Sequence, residues 1–269
     1  MKSPQEVQKL IVEEVSVKKA KLGLLPMALL AILAGMYIGF GGIMALTAMT
    51  QVEPYGLKKV LGGAVFTVGL MLVVIAGAEL FTGNVLMLTS VYAKKITLKQ
   101  MLRNWIVVYV FNLIGSLLIA WMLVQTGLWG SKEAINDFGK TAVAVANAKT
   151  SLTFGQAFFR GMLCNILVDL AVILALAADS VEGKILGIFF PIMTFVAIGF
   201  EHSVANMSLI PIGLLVKAAS NYGPETLNWM NFWKNIFAAT LGNIVGPGIF
   251  LTVFYYLSYY RPLQSQAKN

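Results

Sequence analysis

Residues 199–207 read GFEHSVANM and hold the one histidine of the chain, His202, directly beside Glu201. Histidine exchanges a proton close to neutral pH, with an unperturbed pKa of about 6.5, and in either state it offers a ring N–H. The pair sits between FFPIMTFVAI and SLIPIGLLV, so two ionisable groups occupy the middle of an apolar run. Such groups are expensive to bury in hydrocarbon and mark a functional site by default. A second interruption, AELFTGN over 78–84, brings Glu79, Thr82 and Asn84 into another apolar run. The Thr82 hydroxyl could bond an anion or simply cap a half-helix. His202 could hand a proton to the conjugate base of a weak acid, so that a neutral species crosses. It could also remain a hydrogen-bond donor only, or serve as a structural group satisfying broken backbone.

The elements that must position these residues are membrane helices. The chain has 269 residues, of which 58% are hydrophobic and 12% charged, against roughly 25% charged in soluble domains. Six apolar runs can be drawn, about 23–50, 57–93, 104–125, 154–178, 185–217 and 233–260. One span needs roughly 20 residues, so the second and fifth are too long for single straight helices, and each carries its polar interruption near the middle. Irregular backbone at membrane depth is tolerated only where protein buries it or it lines a cavity. Both runs therefore read as two half-helices around a hinge. Net charge is +8, but the lysines fall in loops and near the ends, which argues against a nucleic-acid partner. The charge reflects orientation beside the lipid bilayer or an electropositive vestibule for anions. Twelve of the 20 Lys and Arg residues group with the N-terminal arm, the 94–103 loop, Lys184, Arg261 and Lys268, so both termini read as cytoplasmic. The first apolar run is too long for the core of a cleavable signal. The arm, 1–25, contains an amphipathic helical pattern over 5–21 that suits the cytoplasmic membrane face. Cys164 is alone, so no disulfide framework is expected, and no cofactor or metal site.

An internal repeat organises the rest. Glu79 and Asn84 in the first break match Glu201 and Asn206 in the second. The third and sixth runs open on Arg103-Asn104 and Lys234-Asn235, followed by Asn112 and Asn243, then Gly115 and Gly246. Gly35-Met36 and Gly161-Met162 are the candidate match in the first and fourth runs. A unit of three spans is odd, so its second copy must be inverted, which places the site near the midplane between the two breaks. Half-helix N-termini aimed there carry positive partial charge suited to an anion.

ELFTGN followed by VLMLT, RNWIVVYVFN, GMLCNILV, GFEHSVANM and TLGNIVG together resemble the formate/nitrite transporter family over roughly residues 20–260. That family includes channels for formate, nitrite and hydrosulfide. The resemblance implies an aquaporin-like fold, a homopentamer with one pore per protomer, His202 at the pore centre and a mobile loop at the first break. It also implies that Lys149, in NAKTSLTF, reaches the pore near the histidine, where its ammonium would attract an anion and oppose a second positive charge on His202. By family position Leu80 and Phe195 become apolar constrictions, one towards each pore end. The absence of an Asn-Pro-Ala repeat argues against a true aquaporin.

A free carboxylate would repel an anion, so Glu79 and Glu201 are read as structural groups accepting backbone N–H donors freed by the breaks; a proton relay with His202 is the alternative. Asn84, Asn206, Asn112, Asn243 and Asn165 are read as joining helices or satisfying broken backbone. Asp169 has no assigned role beyond a helix–helix hydrogen bond. The resulting expectation is an all-α membrane protein with six transmembrane helices in two inverted three-helix repeats, about 26–125 and 154–260, with the second and fifth spans broken. The channel domain covers 26–260 and the tail 261–269, in a bacterial cytoplasmic membrane. The expected function is passage of small monovalent weak-acid anions, formate first, with nitrite or hydrosulfide next. A neutral-solute pore is the alternative, and a membrane enzyme is disfavoured because one histidine with no partner ligands makes no usual metal site.

Overall fold

Two glycines decide where the helices break. Gly77 and Gly199 adopt φ of +89° and +88°, the left-handed conformation that ends helices and that a side chain disfavours. Each stands two residues before the glutamate of its break. In the computed structural model, which describes residues 1–266, the chain is helical nearly throughout. Helix α1 covers 4–21 with a π-helical turn over Ile11–Val15. It is followed by α2 (Leu24–Met49), α3 (Tyr55–Gly77), α4 (83–92) and α5 (Leu98–Gln125). After these come α6 (Asp137–Thr150), α7 (Phe154–Ala177), α8 (Val181–Ile198), α9 (Ser203–Ser220) and α10 (Trp229–Gln264). Capping boxes start α1 at Ser3 and Glu6, α5 at Thr97 and Gln100, and α7 at Thr153 and Gln156, satisfying donors that have no partner inside the helix.

Burial is arranged for a lipid surround. Large apolar side chains such as Leu29, Ile106, Phe159, Phe190 and Phe237 are exposed, while Asn104, Asn112, Asn165, Asn206 and Asn243 are buried. Helix α9 is central, buried without interruption from Ser203 to Leu214, and packs on α5, α6 and α2. Helix α2 packs along α5 and α7 along α10. Gly115 and Gly246 allow these two pairs their closeness. A Cβ on Gly115 would lie 2.0 Å from the Ile32 carbonyl oxygen, and one on Gly246 2.3 Å from that of Met162.

Several details depart from expectation. Seven helices among the described residues are long and apolar enough to cross a membrane, because both halves of the fifth run, 18 residues each, qualify. The halves of the second run are unequal, α3 long and α4 short. Helix α6 occupies a stretch read as loop; its small residues Ala142 and Ala146 lie against Gly213 of α9, a close helix–helix approach that hydropathy does not register. The apolar face of α1 is turned onto protein, with Val7 and Ile11 against Leu86 and Ile173, and Val12 against Ala93 and Tyr260. The start of the tail, Arg261–Gln266, continues as helix; residues 267–269, including Lys268, lie outside the described residues.

Gly199→Ala forces a Cβ into the left-handed conformation and is expected to destabilise by about 1–2 kcal/mol. Gly56→Ala, where a Cβ meets nothing within 4 Å, should leave stability unchanged or raise it. Thermal unfolding in detergent reads both.

Candidate functional site

The two breaks meet at one hydrogen bond. His202 is the N-cap of α9, and its ring Nδ1 accepts from the Ala205 N–H at 3.0 Å. With Nδ1 accepting, the tautomer that fits the network carries its proton on Nε2, which then donates to Thr82 Oγ1 at 2.9 Å. The Thr82 hydroxyl, accepting from the imidazole, keeps its own proton to give. A proton on Nδ1 would remove the cap and oppose the N–H groups and dipole at the start of α9. His202, Thr82, Leu80 and Phe195 are all buried. Phe195 stacks on His202 with ring centroids 5.8 Å apart and meets Phe66 edge-on at 5.9 Å.

Around each break the same network recurs. Glu79 accepts from Lys19 Nζ at 2.7 Å and from Asn84 Nδ2 at 2.9 Å, and Asn84 Nδ2 also reaches Asn104 at 2.7 Å. Glu201 accepts from Lys149 Nζ at 2.9 Å, from Asn206 Nδ2 at 2.6 Å and from Asn235 Nδ2 at 3.0 Å, and Asn206 bonds Asn235 at 2.8 Å. The freed backbone is handled by other asparagines. Asn112 accepts from the Phe81 N–H and donates to the Glu79 and Ala31 carbonyls. Asn243 accepts from the Ser203 N–H and donates to the Glu201 and Gly161 carbonyls. Asn165 donates to the carbonyls of Thr82 and Asn243. The expected backbone partners of the two glutamates are therefore corrected: both carboxylates take side-chain donors, because asparagine, offering an acceptor and two donors, can satisfy N–H and C=O together. The repeat register is corrected as well. Glu79 N–H bonds Leu30 O and Glu201 N–H bonds Arg160 O, so Ala31 rather than Gly35 is the partner position of Gly161.

Two cavities adjoin the breaks. One of about 190 Å³ is lined by His202, Glu201, Phe195, Lys149, Lys59 and Arg160. The other, about 410 Å³, is lined by Leu80, Glu79, Asn84, Gly77 and Lys19. Lys149 shares a cavity with His202, and its charge is engaged by Glu201. Lys59 and Arg160 form no ion pair among the described residues and supply the uncompensated positive charge. Sequence reasoning missed both, and missed Lys19 as the counterpart of Lys149; the 130-residue separation of those two lysines, close to the offset of the Asn112–Asn243 match, was the available signal. Asp169 is buried, and among the described residues neither of its oxygens has a hydrogen-bond partner, so the helix–helix bond considered for it is not formed there.

A buried polar centre shared by two broken helices, inside an all-helical shell with apolar outer faces, defines a membrane transport protein. The chain belongs to the formate/nitrite transporter family, whose model, "Formate/nitrite transporter", matches residues 5–257. It is 42% identical to a probable formate transporter of Methanothermobacter thermautotrophicus, with 96% of this chain and 97% of that one covered. It is 35% identical to a formate channel of Escherichia coli, covering 93% and 92%. Among solved structures it resembles a pentameric formate channel with formate bound, at TM-score 0.77 and 37% identity over 90% of this chain and 98% of that chain. These relatives are channels and transporters, not enzymes.

Glu201 is 2% exposed, so removing its cation leaves a buried charge uncompensated. Lys149→Met is expected to cost about 3–5 kcal/mol, most of it recovered by adding Glu201→Gln; a double-mutant cycle on thermal stability reads the coupling. Asp169→Cys keeps side-chain volume and removes two unpartnered oxygens, so stability should hold or rise by about 1–3 kcal/mol.

Proposed function

We propose that the chain conducts small monovalent weak-acid anions through a pore within each protomer, formate first and nitrite or hydrosulfide next. The observation that carries this reading is the directed chain from the Ala205 N–H through His202 to Thr82. It passes the positive end of α9 to the buried Thr82 hydroxyl, whose own proton stays free to be donated, without placing a formal charge beside the barrier. Hydrogen bonds in such chains polarise one another. Lys59 and Arg160 draw the anion into the cavity beside His202, while Lys149, held by Glu201, adds positive potential as part of a neutral pair. Leu80 and Phe195 strip hydrating water at the two apolar constrictions. His202 acts as a donor rather than as a proton carrier, since charging its ring breaks the cap.

The surrounding assembly follows the relatives. Formate is bound in the similar pentameric channel, which supports formate as lead substrate and a homopentamer here. We infer a bacterial cytoplasmic membrane as its location. Residues 1–25 form the cytoplasmic arm, 26–260 the six-span channel with inverted repeats, and 261–269 a cytoplasmic tail. The repeated unit extends into the arm, since Lys19 pairs with Glu79 as Lys149 pairs with Glu201.

The test is uptake into proteoliposomes of formate, nitrite and hydrosulfide at mildly acidic and neutral pH, with chloride and glycerol as controls. Uptake of weak-acid anions above both controls is expected; glycerol permeation alone would overturn the reading. Thr82→Val removes the donor while keeping shape, and uptake should fall about 10- to 100-fold, with Thr82→Ser near the parent. His202→Asn keeps a capping acceptor and an N–H donor but cannot titrate. Uptake reduced less than about tenfold, with the parental pH dependence, is expected; loss of that dependence would assign His202 the proton transfer instead.

A further inference from the structure

A cavity of about 690 Å³, larger than either beside the breaks, lies where α1, the turn after α4 and the end of α10 converge. Lys9, Lys94 and Lys95 reach it, and Tyr92, Tyr256 and Tyr260 form an aromatic wall. Tyr256 meets Tyr92 at 6.0 Å and stacks on Tyr260 at 6.1 Å between ring centroids. Among the described residues the one carboxylate lining it, Glu13, is already engaged: it accepts from the Tyr260 hydroxyl at 2.8 Å and pairs with Lys95 at 3.4 Å. The Tyr260 hydroxyl first, then Lys95, holds the Glu13 carboxyl below the usual carboxylate range. Lys9 and Lys94 are exposed and form no ion pair among the described residues. Lys94 is set by the turn itself, with φ of +58°, next to Lys95, whose N–H is anchored on Ser90 O.

The cavity is therefore cationic on one side and aromatic on the other, at the end of a membrane-spanning helix. Tyrosine prefers that depth, where its ring is apolar and its hydroxyl wet. Lysine clusters between membrane helices suit phosphate-bearing anions, above all phospholipid headgroups. We propose that this cavity is a binding site for a phosphate-bearing anion, filled by the headgroup of an anionic phospholipid from the adjoining leaflet. Lys9 and Lys94 hold the phosphate and the tyrosine wall holds the glycerol end. It shares no lining residue with either cavity beside the breaks, so the site is separate from them.

Native mass spectrometry of the full-length protein in detergent tests this, with phosphatidylglycerol, phosphatidylcholine, glycerol 3-phosphate and inorganic phosphate as probes. Lys9→Gln with Lys94→Gln changes only exposed side chains; Lys99→Gln, exposed and outside the cavity, is the control. The expected result is retention of phosphatidylglycerol over phosphatidylcholine, weakened about tenfold or more in the double variant and unchanged in Lys99→Gln. Lysine-dependent binding of glycerol 3-phosphate or inorganic phosphate, with lipid retention unaffected by the double variant, would support the phosphate site and overturn its lipid source. Retention of every probe unchanged by the double variant overturns the proposal.

Discussion

Broken backbone in a medium without water is the constraint on which the rest of this structure depends. Interrupting two helices at membrane depth frees N–H and C=O groups, each costing several kcal/mol if left unpaired. The protein answers with Asn112 and Asn243, each bonding one N–H and one carbonyl of its break and a second carbonyl on a neighbouring helix. Those asparagines project from α5 and α10, so the breaks are held by neighbouring intact helices. The close packing of α2 on α5 and of α7 on α10 then becomes part of the site, because it brings the second carbonyl acceptor, Ala31 or Gly161, within reach.

Electrostatics adds a second layer. An anion pathway lined by two buried glutamates would defeat itself, yet both carboxylates are neutralised by a lysine from outside their own helix and are bound further by asparagine. Lys19 and Lys149 are thereby consumed as structure. The charge left over beside His202 belongs to Lys59 and Arg160, which approach from α3 and α7. The cations that hold the breaks, Lys19 and Lys149, are thus distinct from the two that form no ion pair among the described residues.

Much of this was legible in the sequence, and what was not had a physical reason. The breaks were visible because polar residues in long apolar runs are rare, and the repeat because Glu, Asn and Gly recur at matched spacing. His202 and Thr82 were singled out by type, and the fold brings them into contact. The ion pairs were not legible: Lys19 reaches Glu79 across 60 residues and Lys149 reaches Glu201 across 52, distances at which no local pattern acts. Helix α6 escaped because its Ala-rich, weakly apolar face packs by closeness rather than by hydrophobicity. The α2–α7 register was misaligned on Gly35 because glycine is common in membrane helices, whereas the correct partner, Ala31, is bonded through its backbone and leaves no mark on residue identity.

The two halves agree wherever the task is to hold backbone and differ where they meet. Glu, Asn and Lys are duplicated, and so are the left-handed glycines. At the centre, the position of His202 is taken in the first half by Leu80, and the position of Thr82 is taken in the second half by Val204. Each half therefore contributes one polar and one apolar side chain, and only their combination makes a donor pair flanked by apolar surface. A fully symmetric centre would carry two histidines or two leucines: the first sets two cap-bound rings against each other, the second leaves no donor. Divergence at these two positions turns a duplicated scaffold into one directed hydrogen-bond chain, running from the start of α9 to the Thr82 hydroxyl.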